Sequence, residues 1–270
     1  MWGVIPAAGR GSRIQPLAFS KELLPVGSRT VAGVERPCAV SEYLVERMVL
    51  GGADRLCFVI APGKSDIMAY FGDNYAGVPI AYVVQPRPGG LCDAVFRAES
   101  VLGLNDDVIV GLPDTIWFPK SGILELPNDA LSFLLFPVDS PELFDAVVLD
   151  GESVREVQVK QKNADSRWIW GAFRLPSPVF RELRQLWRCR EQSDDYFGTL
   201  VNAYLAAGGA AKGIKAGQAY VDVGTLHGYR TAMALLAQIA SEPNSASEPL
   251  PPRFHDGQAF RRPQLSGEAQ

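Results

Sequence analysis

The chain has 270 residues, 47% of them hydrophobic and 21% charged, so one large globular domain with a substantial core is expected. A net charge of −4 argues against a nucleic-acid partner, which usually leaves a basic surface. The N-terminus lacks the features of a signal peptide, and no apolar run reaches the roughly 20 residues that span a membrane. We therefore expect a cytoplasmic protein without a membrane partner. The four cysteines show no metal or redox spacing, which favours buried free thiols.

Short apolar strands alternate with helices in the first half of the chain. We expect strands at residues 4–5, 56–60, 80–84, 108–112 and 131–136, and helices at 41–50, 67–71 and 91–102. Continuous apolar strands that alternate with helices imply a parallel sheet with helices on both faces.

The pattern changes after about residue 140. Strands are expected at 146–149, 154–159 and 168–173, followed by helices at 179–188 and 197–207, a strand at 219–223 and a last helix at 226–240. We interpret residues 1–240 as a single domain with two parts, 1–140 and 141–240. Residues 241–270 are rich in proline and serine and should form a loosely ordered or extended tail.

A glycine-containing loop, AAGRGSR at residues 7–13, directly follows the first strand. Small residues let backbone N–H groups approach an anion, and an arginine can bind phosphate oxygens through its planar fork. The residues that would surround such an anion are Ala8, Gly9, Gly11, Ser12 and Arg13. A Walker loop is excluded because no lysine follows at the required spacing. Ile14 replaces the third glycine of a dinucleotide fingerprint, which argues against an NAD-dependent oxidoreductase.

Residues 9–16 and 20–26 read GRGSRIQP and SKELLPV. They resemble the signature of the sugar-1-phosphate nucleotidyltransferase family, the glucose-1-phosphate thymidylyl- and uridylyltransferases. That signature is Gly-x-Gly-Thr/Ser-Arg-x-x-Pro followed by Pro-Lys-x-Leu-Leu-Pro-Val, and Ser20 departs from it where the family usually has proline. The resemblance implies that Arg13 and Lys21 hold the triphosphate and neutralise charge on the leaving pyrophosphate.

The resemblance also implies a fold and a reaction. The fold is α/β, a Rossmann-like mostly parallel sheet flanked by helices with an added β-rich region. Residues 1–140 would form the nucleotide-binding part and 141–240 the sugar-binding part. The substrates would be a nucleoside triphosphate and a sugar 1-phosphate, with Mg²⁺ as cofactor. The family often forms dimers or tetramers, but the sequence reveals no interface, so a homo-oligomer stays open.

The segment QPRPGGL at residues 85–91 resembles the family's Gln-Pro-x-Pro-x-Gly-Leu/Thr. A glutamine amide can donate and accept together, so Gln85 suits the imide edge of thymine or uracil. Gly90 would allow the backbone to approach the base closely. This segment favours dTTP or UTP and leaves the choice between them open.

Two aspartates are candidates for a metal site. Asp114 follows the strand at 108–112 in a Leu-Pro-Asp motif like the family's, at the strand end where ligands bind in open α/β sheets. Asp222 lies in YVDVGT at residues 220–225, which looks like the family's Trp-x-Asp-x-Gly-Thr. Magnesium is commonly held by one or two carboxylates together with phosphates and waters. Thr225 is expected to cap the last helix.

The acceptor side is less well defined. Lys160 and Lys162 both lie where the family has a Val-Glu-Lys-Pro-like segment, whose lysine contacts the sugar phosphate. We favour Lys160, but on a strand both side chains would point to the same face, so the sequence does not separate them. Gly171 matches a family position near the sugar.

Two departures affect the sugar pocket. Val159 occupies the place of the usual glutamate, which tends to bind sugar hydroxyls, and Asp145 falls near a glycine often found beside the sugar. These changes leave the phosphate chemistry intact and leave the identity of the sugar open.

The reaction implied is an in-line attack by the sugar phosphate on the α-phosphorus, which needs positioning and charge neutralisation rather than a protein nucleophile. The alternative is a catalytically silent regulatory protein that binds sugar nucleotides. Retention of the four charged residues Arg13, Lys21, Asp114 and Asp222 counts against that alternative.

Overall fold

The computed structural model describes residues 1–31 and 33–241. Of the predicted tail at 241–270, only Ser241 is included, as the last residue of a helix. The rest of that tail lies outside the described residues.

The strands of the described chain, numbered in order, are β1 (Trp2–Pro6), β2 (Pro25–Val31), β3 (Val34–Ala39), β4 (Arg55–Ile60), β5 (Asn74–Tyr75), β6 (Val78–Val84), β7 (Val108–Gly111), β8 (Thr115–Phe118), β9 (Leu131–Pro137), β10 (Asp145–Asp150), β11 (Ser153–Val159), β12 (Trp168–Leu175), β13 (Ala211–Ile214) and β14 (Ala219–Asp222). The α-helices are α1 (Val40–Leu50), α2 (Ser65–Phe71), α3 (Gly90–Arg97), α4 (Ser177–Cys189), α5 (Phe197–Ala206) and α6 (Leu226–Ser241).

A ten-stranded mixed sheet forms the centre of the protein, in the order β10-β11-β13-β9-β12-β7-β1-β4-β6-β5. The adjacent strands β7, β1, β4 and β6 are parallel to one another. Strand β12 runs antiparallel to both of its neighbours, β7 and β9. The predicted Rossmann-like fold is therefore confirmed, and the strands β10, β11 and β12 form its antiparallel extension.

Strand alternation buries both faces of the sheet. On one face Val4 and Val110 pack with side chains of α3, α4 and α5, and on the other Ile5 and Phe58 pack with α1 and α2. Because consecutive side chains point to opposite faces, apolar residues at every position require cover on both sides. The continuous apolar pattern of the parallel strands is explained by these two helical layers.

Five strands were not expected from the sequence, namely β2, β3, β5, β8 and β13. The hairpin of β2 and β3 lacks a regular apolar alternation, and four of the six residues of β3 are exposed. Strand β8 follows Asp114 closely and pairs with β14, with Thr115 opposite Asp222. Strand β13 lies within the sheet, between β9 and β11. The predicted helix at 91–102 ends earlier, at Arg97, and continues as a 3₁₀ turn to Ser100.

The structure bears on two expectations from the sequence, one about membrane-spanning segments and one about the cysteines. None of the helices within residues 1–31 and 33–241 is long and apolar enough to cross a membrane. All four cysteines are free thiols, with Cys38, Cys57 and Cys92 buried and Cys189 exposed. The expectation of buried thiols is wrong for Cys189.

The carboxyl ends of the parallel strands meet at one edge of the sheet. Residues 7–13 follow β1, Lys64 follows β4, Gln85 follows β6 and Asp114 follows β7. In open α/β sheets this edge is where ligands bind.

Helix α2 holds the segment around Ser20 in place. The carboxylate of Asp66 accepts hydrogen bonds from the backbone N–H and the hydroxyl of Ser20, each at 2.6 Å. Although burial raises it, the hydrogen bonds from Ser20 keep the pKa of Asp66 below its usual value. Ser20 has φ −62° and ψ 132°, and a proline fixes φ near −65°. Asp66 thus holds Ser20 in the backbone conformation that proline would impose.

We expect Asp66→Ala to lower the free energy of unfolding by about 1.5–3 kcal/mol, because it removes a charged acceptor from two hydrogen bonds. In that background Ser20→Pro should recover part of the loss, since proline fixes φ and reduces the freedom of the unfolded chain. Urea unfolding followed by tryptophan fluorescence measures both changes at neutral pH. The stabilisation by Asp66 is present there and is lost as the pH falls through its lowered folded-state pKa.

The control for this cycle is Ser20→Pro alone, which leaves Asp66 without its backbone donor and should destabilise the protein. The pairing is contradicted if Ser20→Pro has the same effect with and without Asp66.

Candidate active site

A cleft of about 190 Å³ lies at the carboxyl edge of the parallel strands, where they meet the antiparallel extension. Predicted site residues from both halves of the sequence line it, namely Arg13, Asp114, Asp145, Lys160 and Asp222. A larger groove of about 740 Å³ between α4 and α5 contains none of the predicted site residues. The smaller cleft is therefore the candidate active site.

Two ion pairs cross one wall of the cleft. Arg13 Nη1 lies 3.0 Å from Asp222 Oδ2, and the ammonium of Lys21 donates to the carboxylate of Asp114. A Cβ added to Gly224 would stand 2.8 Å from Asp222 Oδ1, 3.2 Å from Asp114 Oδ2 and 3.0 Å from Arg13 Nη2. The two carboxylates and the guanidinium therefore converge on one point, which only glycine leaves open.

Burial and ion pairing shift the pKa values of Asp114 and Lys21 in opposite directions. Burial raises the pKa of Asp114, but the charge and hydrogen bond of Lys21 outweigh it and the pKa is lowered. Burial lowers the pKa of Lys21, but Asp114 outweighs it and the pKa is raised. Both groups are therefore ionised at neutral pH. Arg13 differs because its side chain is 61% exposed, so it can reach a ligand in solution.

The donor groups of the cleft decide whether it suits a divalent metal. Within the described residues no cluster of three or more histidine, cysteine, aspartate or glutamate side chains could hold a metal. Asp114 and Asp222 nevertheless provide two hard carboxylates at one point, which suits an ion that completes its shell with phosphates and waters. These two aspartates suit Mg²⁺. Asp222 is paired with Arg13 and Asp114 with Lys21, and a bound phosphate would attract both cations.

The glycine loop packs tightly against the lysine segment. Gly11 has φ +65°, and a Cβ there would stand 2.7 Å from Lys21 Cδ, so this position requires glycine. Among residues 1–31 and 33–241, no atom other than those of its chain neighbours lies within 4 Å of a Cβ built at Gly9, and Ser12 is exposed. The loop from Ala8 to Arg13 thus lies open to the same edge as the carboxylates.

Lys64 and Glu22 form a buried pair that the sequence analysis missed. Lys64 Nζ lies 2.7 Å from Glu22 Oε1 and donates to the carbonyl of Ala7, also at 2.7 Å. Burial raises the pKa of Glu22 and lowers that of Lys64, each against the charge of its partner. The pair ties the start of the glycine loop to the residue that follows Lys21. Lys64 lies in the loop after the parallel strand β4, as Asp114 lies in the loop after β7, so the rule that identified Asp114 could have identified it.

Gln85, the residue predicted to recognise the base, already has hydrogen-bond partners within the protein. Gln85 is buried, and its amide N–H₂ donates to Asp93 Oδ2 at 2.7 Å and to the carbonyl of Gly90 at 3.2 Å. A Cβ on Gly90 would stand 2.6 Å from the carbonyl oxygen of Asp195. The glycine at this position is required by contact with the Asp195 backbone, so its identity gives no separate evidence for a bound base.

Lys160 and Lys162 are not equivalent. Strand β11 ends at Val159, and Lys160 turns the chain with φ +47°, so the expectation that both lysines share one face of a strand is wrong. Lys160 lines the cleft, with Nζ 4.5 Å from the centre of the Tyr196 ring and 3.4 Å from its hydroxyl. Lys162 is exposed outside the cleft.

Asp145 and Gly171 also occupy different environments. Asp145 begins β10 and lines the cleft, where burial raises its pKa against the opposing effects of Trp170 and Lys160. Gly171 lies at a bulge of β12, where a Cβ would stand 2.6 Å from the Phe136 ring and 2.9 Å from the Tyr220 ring. The structure therefore places Gly171 beneath Tyr220 rather than in the cleft.

The sequence of the chain is similar to those of known nucleotidyltransferases. Residues 2–239 match the model of the nucleotidyl transferase family. A glucose-1-phosphate thymidylyltransferase of Neisseria meningitidis is 30% identical over 179 residues, 63% of this chain and 58% of that protein. A UTP–glucose-1-phosphate uridylyltransferase of Haloferax volcanii is 32% identical over 122 residues, 45% of this chain and 46% of that protein. The chain spans about half the length of the curated relatives it matches.

A solved structure, the UTP-bound UGPase from Acinetobacter baumannii, superposes with a TM-score of 0.71 over 90% of this chain and 94% of that one. At 22% identity this likeness shows the fold alone. The family match covers most of the chain, and it agrees with the motifs that follow the parallel strands. The chain therefore belongs to the nucleotidyl transferase family, and its resemblance to the sugar-1-phosphate nucleotidyltransferases is confirmed.

Proposed function

We propose that this protein joins a pyrimidine nucleoside triphosphate, dTTP or UTP, to a sugar 1-phosphate and releases pyrophosphate, with Mg²⁺ as cofactor. The observation that carries the proposal is the convergence of the Arg13–Asp222 and Lys21–Asp114 pairs on a cleft that also contains Lys160. Three cations and two metal-binding carboxylates are what two anionic substrates and one magnesium ion require.

The reaction needs positioning and charge neutralisation. An oxygen of the sugar phosphate attacks the α-phosphorus, and the bond from that phosphorus to the bridging oxygen of the β-phosphate breaks, which releases pyrophosphate. Arg13 and Lys21 would hold the triphosphate and offset the charge on the leaving group. Lys160 would bind the sugar phosphate and reduce the repulsion between the two substrates.

Asp114 and Asp222 would hold the metal. When bound, Mg²⁺ supplies positive charge to the triphosphate oxygens. Occupation of this site would release Lys21 and Arg13 from the two carboxylates, so that both cations become available to phosphate. The Gly224 N–H, which donates to Asp222 Oδ1 at 2.7 Å, would hold that carboxylate in place through this exchange.

The preference for a pyrimidine rests on Gln85 and on the relatives. Since the Gln85 N–H₂ is held by Asp93 and Gly90, its amide oxygen is the group that can accept the imide N–H of thymine or uracil. Relatives named as glucose-1-phosphate thymidylyltransferase and UTP–glucose-1-phosphate uridylyltransferase support the same base class.

Pyrophosphate release tests the proposal directly. The protein with Mg²⁺ should release pyrophosphate from dTTP or UTP only when a sugar 1-phosphate is also present, across a grid of five nucleoside triphosphates and several sugar 1-phosphates. The control omits the sugar phosphate from each mixture. Folded protein that stays silent across the grid would argue against the reaction.

Asp114→Asn should lower kcat at least about 100-fold, because it removes a metal ligand and leaves Lys21 without its buried partner. Steady-state kinetics of the purified variant measures the change, with circular dichroism as a check of folding. A matched control is Asp139→Asn, an exposed aspartate outside the cleft, whose kinetics should stay near those of the wild type. Near-normal turnover of the Asp114 variant would refute the metal assignment.

Lys160→Met should raise the KM for the sugar 1-phosphate about 10- to 100-fold, because a charge-assisted bond to phosphate is lost while the side chain keeps its bulk. Lys162→Met provides the control, since that side chain lies outside the cleft and its loss should leave the KM unchanged. The assignment is reversed if the Lys162 variant carries the larger change.

A further inference from the structure

Lys160 is a cation of the cleft that no carboxylate neutralises. Arg13, which also lines the cleft, is paired with Asp222, whereas within residues 1–31 and 33–241 the Lys160 ammonium makes no ion pair. It lies instead over the Tyr196 ring, with Nζ 4.5 Å from the ring centre and 3.4 Å from the hydroxyl. A charged ammonium without an acidic partner can bind an anionic ligand.

A lysine side chain does not keep one position by itself, because its four-carbon stem is flexible and its ammonium is strongly hydrated. The backbone of Lys160 is fixed by its φ of +47° and by the hydrogen bond from its N–H to the Phe144 carbonyl at 2.9 Å. Neither feature determines where the ammonium lies. A contact of the side chain itself must do so.

Asp145, which also lines the cleft, competes for this ammonium. Burial raises the pKa of Asp145, and the charge of Lys160 acts against that rise. An ammonium drawn onto this carboxylate would be neutralised and would no longer attract a phosphate. The Tyr196 ring attracts the ammonium through its electron-rich face and leaves its charge intact.

The backbone on both sides of the Tyr196 ring is tied down. Tyr196 directly precedes α5, and its carbonyl accepts a hydrogen bond from the Thr199 hydroxyl at 2.7 Å. The carbonyl of Asp195 accepts the N–H of Leu91 at 3.0 Å. Tyr196 is 43% exposed and lines the cleft, so its ring is held at a fixed place where Lys160 can reach it.

We infer that Tyr196 is the positioning residue for Lys160. Its ring holds the ammonium charged and unpaired in the cleft, so that the phosphate of the second substrate meets a cation already in place. Such preorganisation raises affinity because the side chain is ordered before the ligand binds. The inference rests on the proposed function, in which Lys160 binds the sugar phosphate, and adds the residue that holds Lys160.

The kinetics of two variants test this role. Tyr196→Leu removes the ring and should raise the KM for the sugar 1-phosphate about 3- to 10-fold, in line with the loss of one cation–π contact. The KM for the nucleotide and kcat should change by less than about twofold, whereas general damage to the fold would alter all three. Tyr196→Phe keeps the ring and should stay within about twofold of the wild type. A phenylalanine variant as poor as the leucine variant contradicts the ring contact.

A double-mutant cycle separates positioning from direct contact with the substrate. If Tyr196 acts through Lys160, Tyr196→Leu should have no further effect on the KM for the sugar 1-phosphate in a Lys160→Met background. The same rise in KM with and without Lys160 would show that Tyr196 contacts the substrate itself, and the positioning role would then be wrong. Thermal unfolding of each variant checks that the fold is kept.

Nuclear magnetic resonance reports the contact without any turnover. The chain has seven lysines, so ¹³C-lysine labelling gives a sparse spectrum in which Lys160→Met assigns one ε-methylene resonance. The ring current of Tyr196 should shift this resonance upfield, and the shift should vanish in Tyr196→Leu and persist in Tyr196→Phe. Lys215 is the matched control, because its Nζ lies 5.2 Å from the centre of the Trp168 ring and its resonance should be the same in every variant.

The two readouts distinguish failure of the inference from failure of the proposed function. Absence of pyrophosphate release from the wild type with every substrate pair would refute the proposed function, while the Lys160 resonance would still show whether the ring holds the ammonium. Each sugar 1-phosphate of the grid can then be added, and a Lys160 resonance that responds to none of them contradicts a role toward phosphate. In an active enzyme, a resonance that lacks the upfield shift, or keeps it in Tyr196→Leu, overturns the inference alone.

Discussion

The ion pair between Lys21 and Asp114 is the interaction on which the rest of the site depends. Each side chain is only 13% exposed, so either charge alone would pay a large desolvation cost. Because each keeps the other ionised, the site holds a cation and a carboxylate in place before any substrate arrives. In the proposed reaction, Lys21 would bind the triphosphate while Asp114 binds the metal. Neither charge would then be left buried without a partner.

The fold supplies this pair with rigid support from several directions. Asp114 lies between the buried strand β7 and β8, and β8 is paired with the strand that ends in Asp222. Lys21 lies between Ser20, held by Asp66, and Glu22, held by Lys64. The close packing of Gly11 against the Lys21 side chain completes this support. Asp66 of α2 and Lys64, which precedes that helix, thus fix the loop conformation although neither lines the cleft.

The sequence singled out Arg13, Lys21 and Asp114 because they stand at short, fixed spacings from glycine and proline, and the structure brings them together with Asp222 in two ion pairs. Their roles toward phosphate and metal stay predictions. It could not separate Lys160 from Lys162, since the choice depends on where β11 ends and on a positive φ at Lys160. The hairpin β2–β3 was missed because its exposed strands lack apolar alternation. Gly171 was assigned by its motif, whereas its surroundings are set by a bulge that no spacing rule reveals.

Strand register cannot be read from a single sequence, and here it changes how the residues of β10 and β11 are interpreted. Read along the chain, nothing connects Asp145 with Val159. Read across β10 and β11, they face each other, and a carboxylate is present on the same face of the sheet. The groups proposed to bind phosphate lie mainly in loops after parallel strands, while these two residues belong to the antiparallel extension. Because the two sets lie on different elements, side chains of the extension can change without any change to the Arg13–Asp222 and Lys21–Asp114 ion pairs.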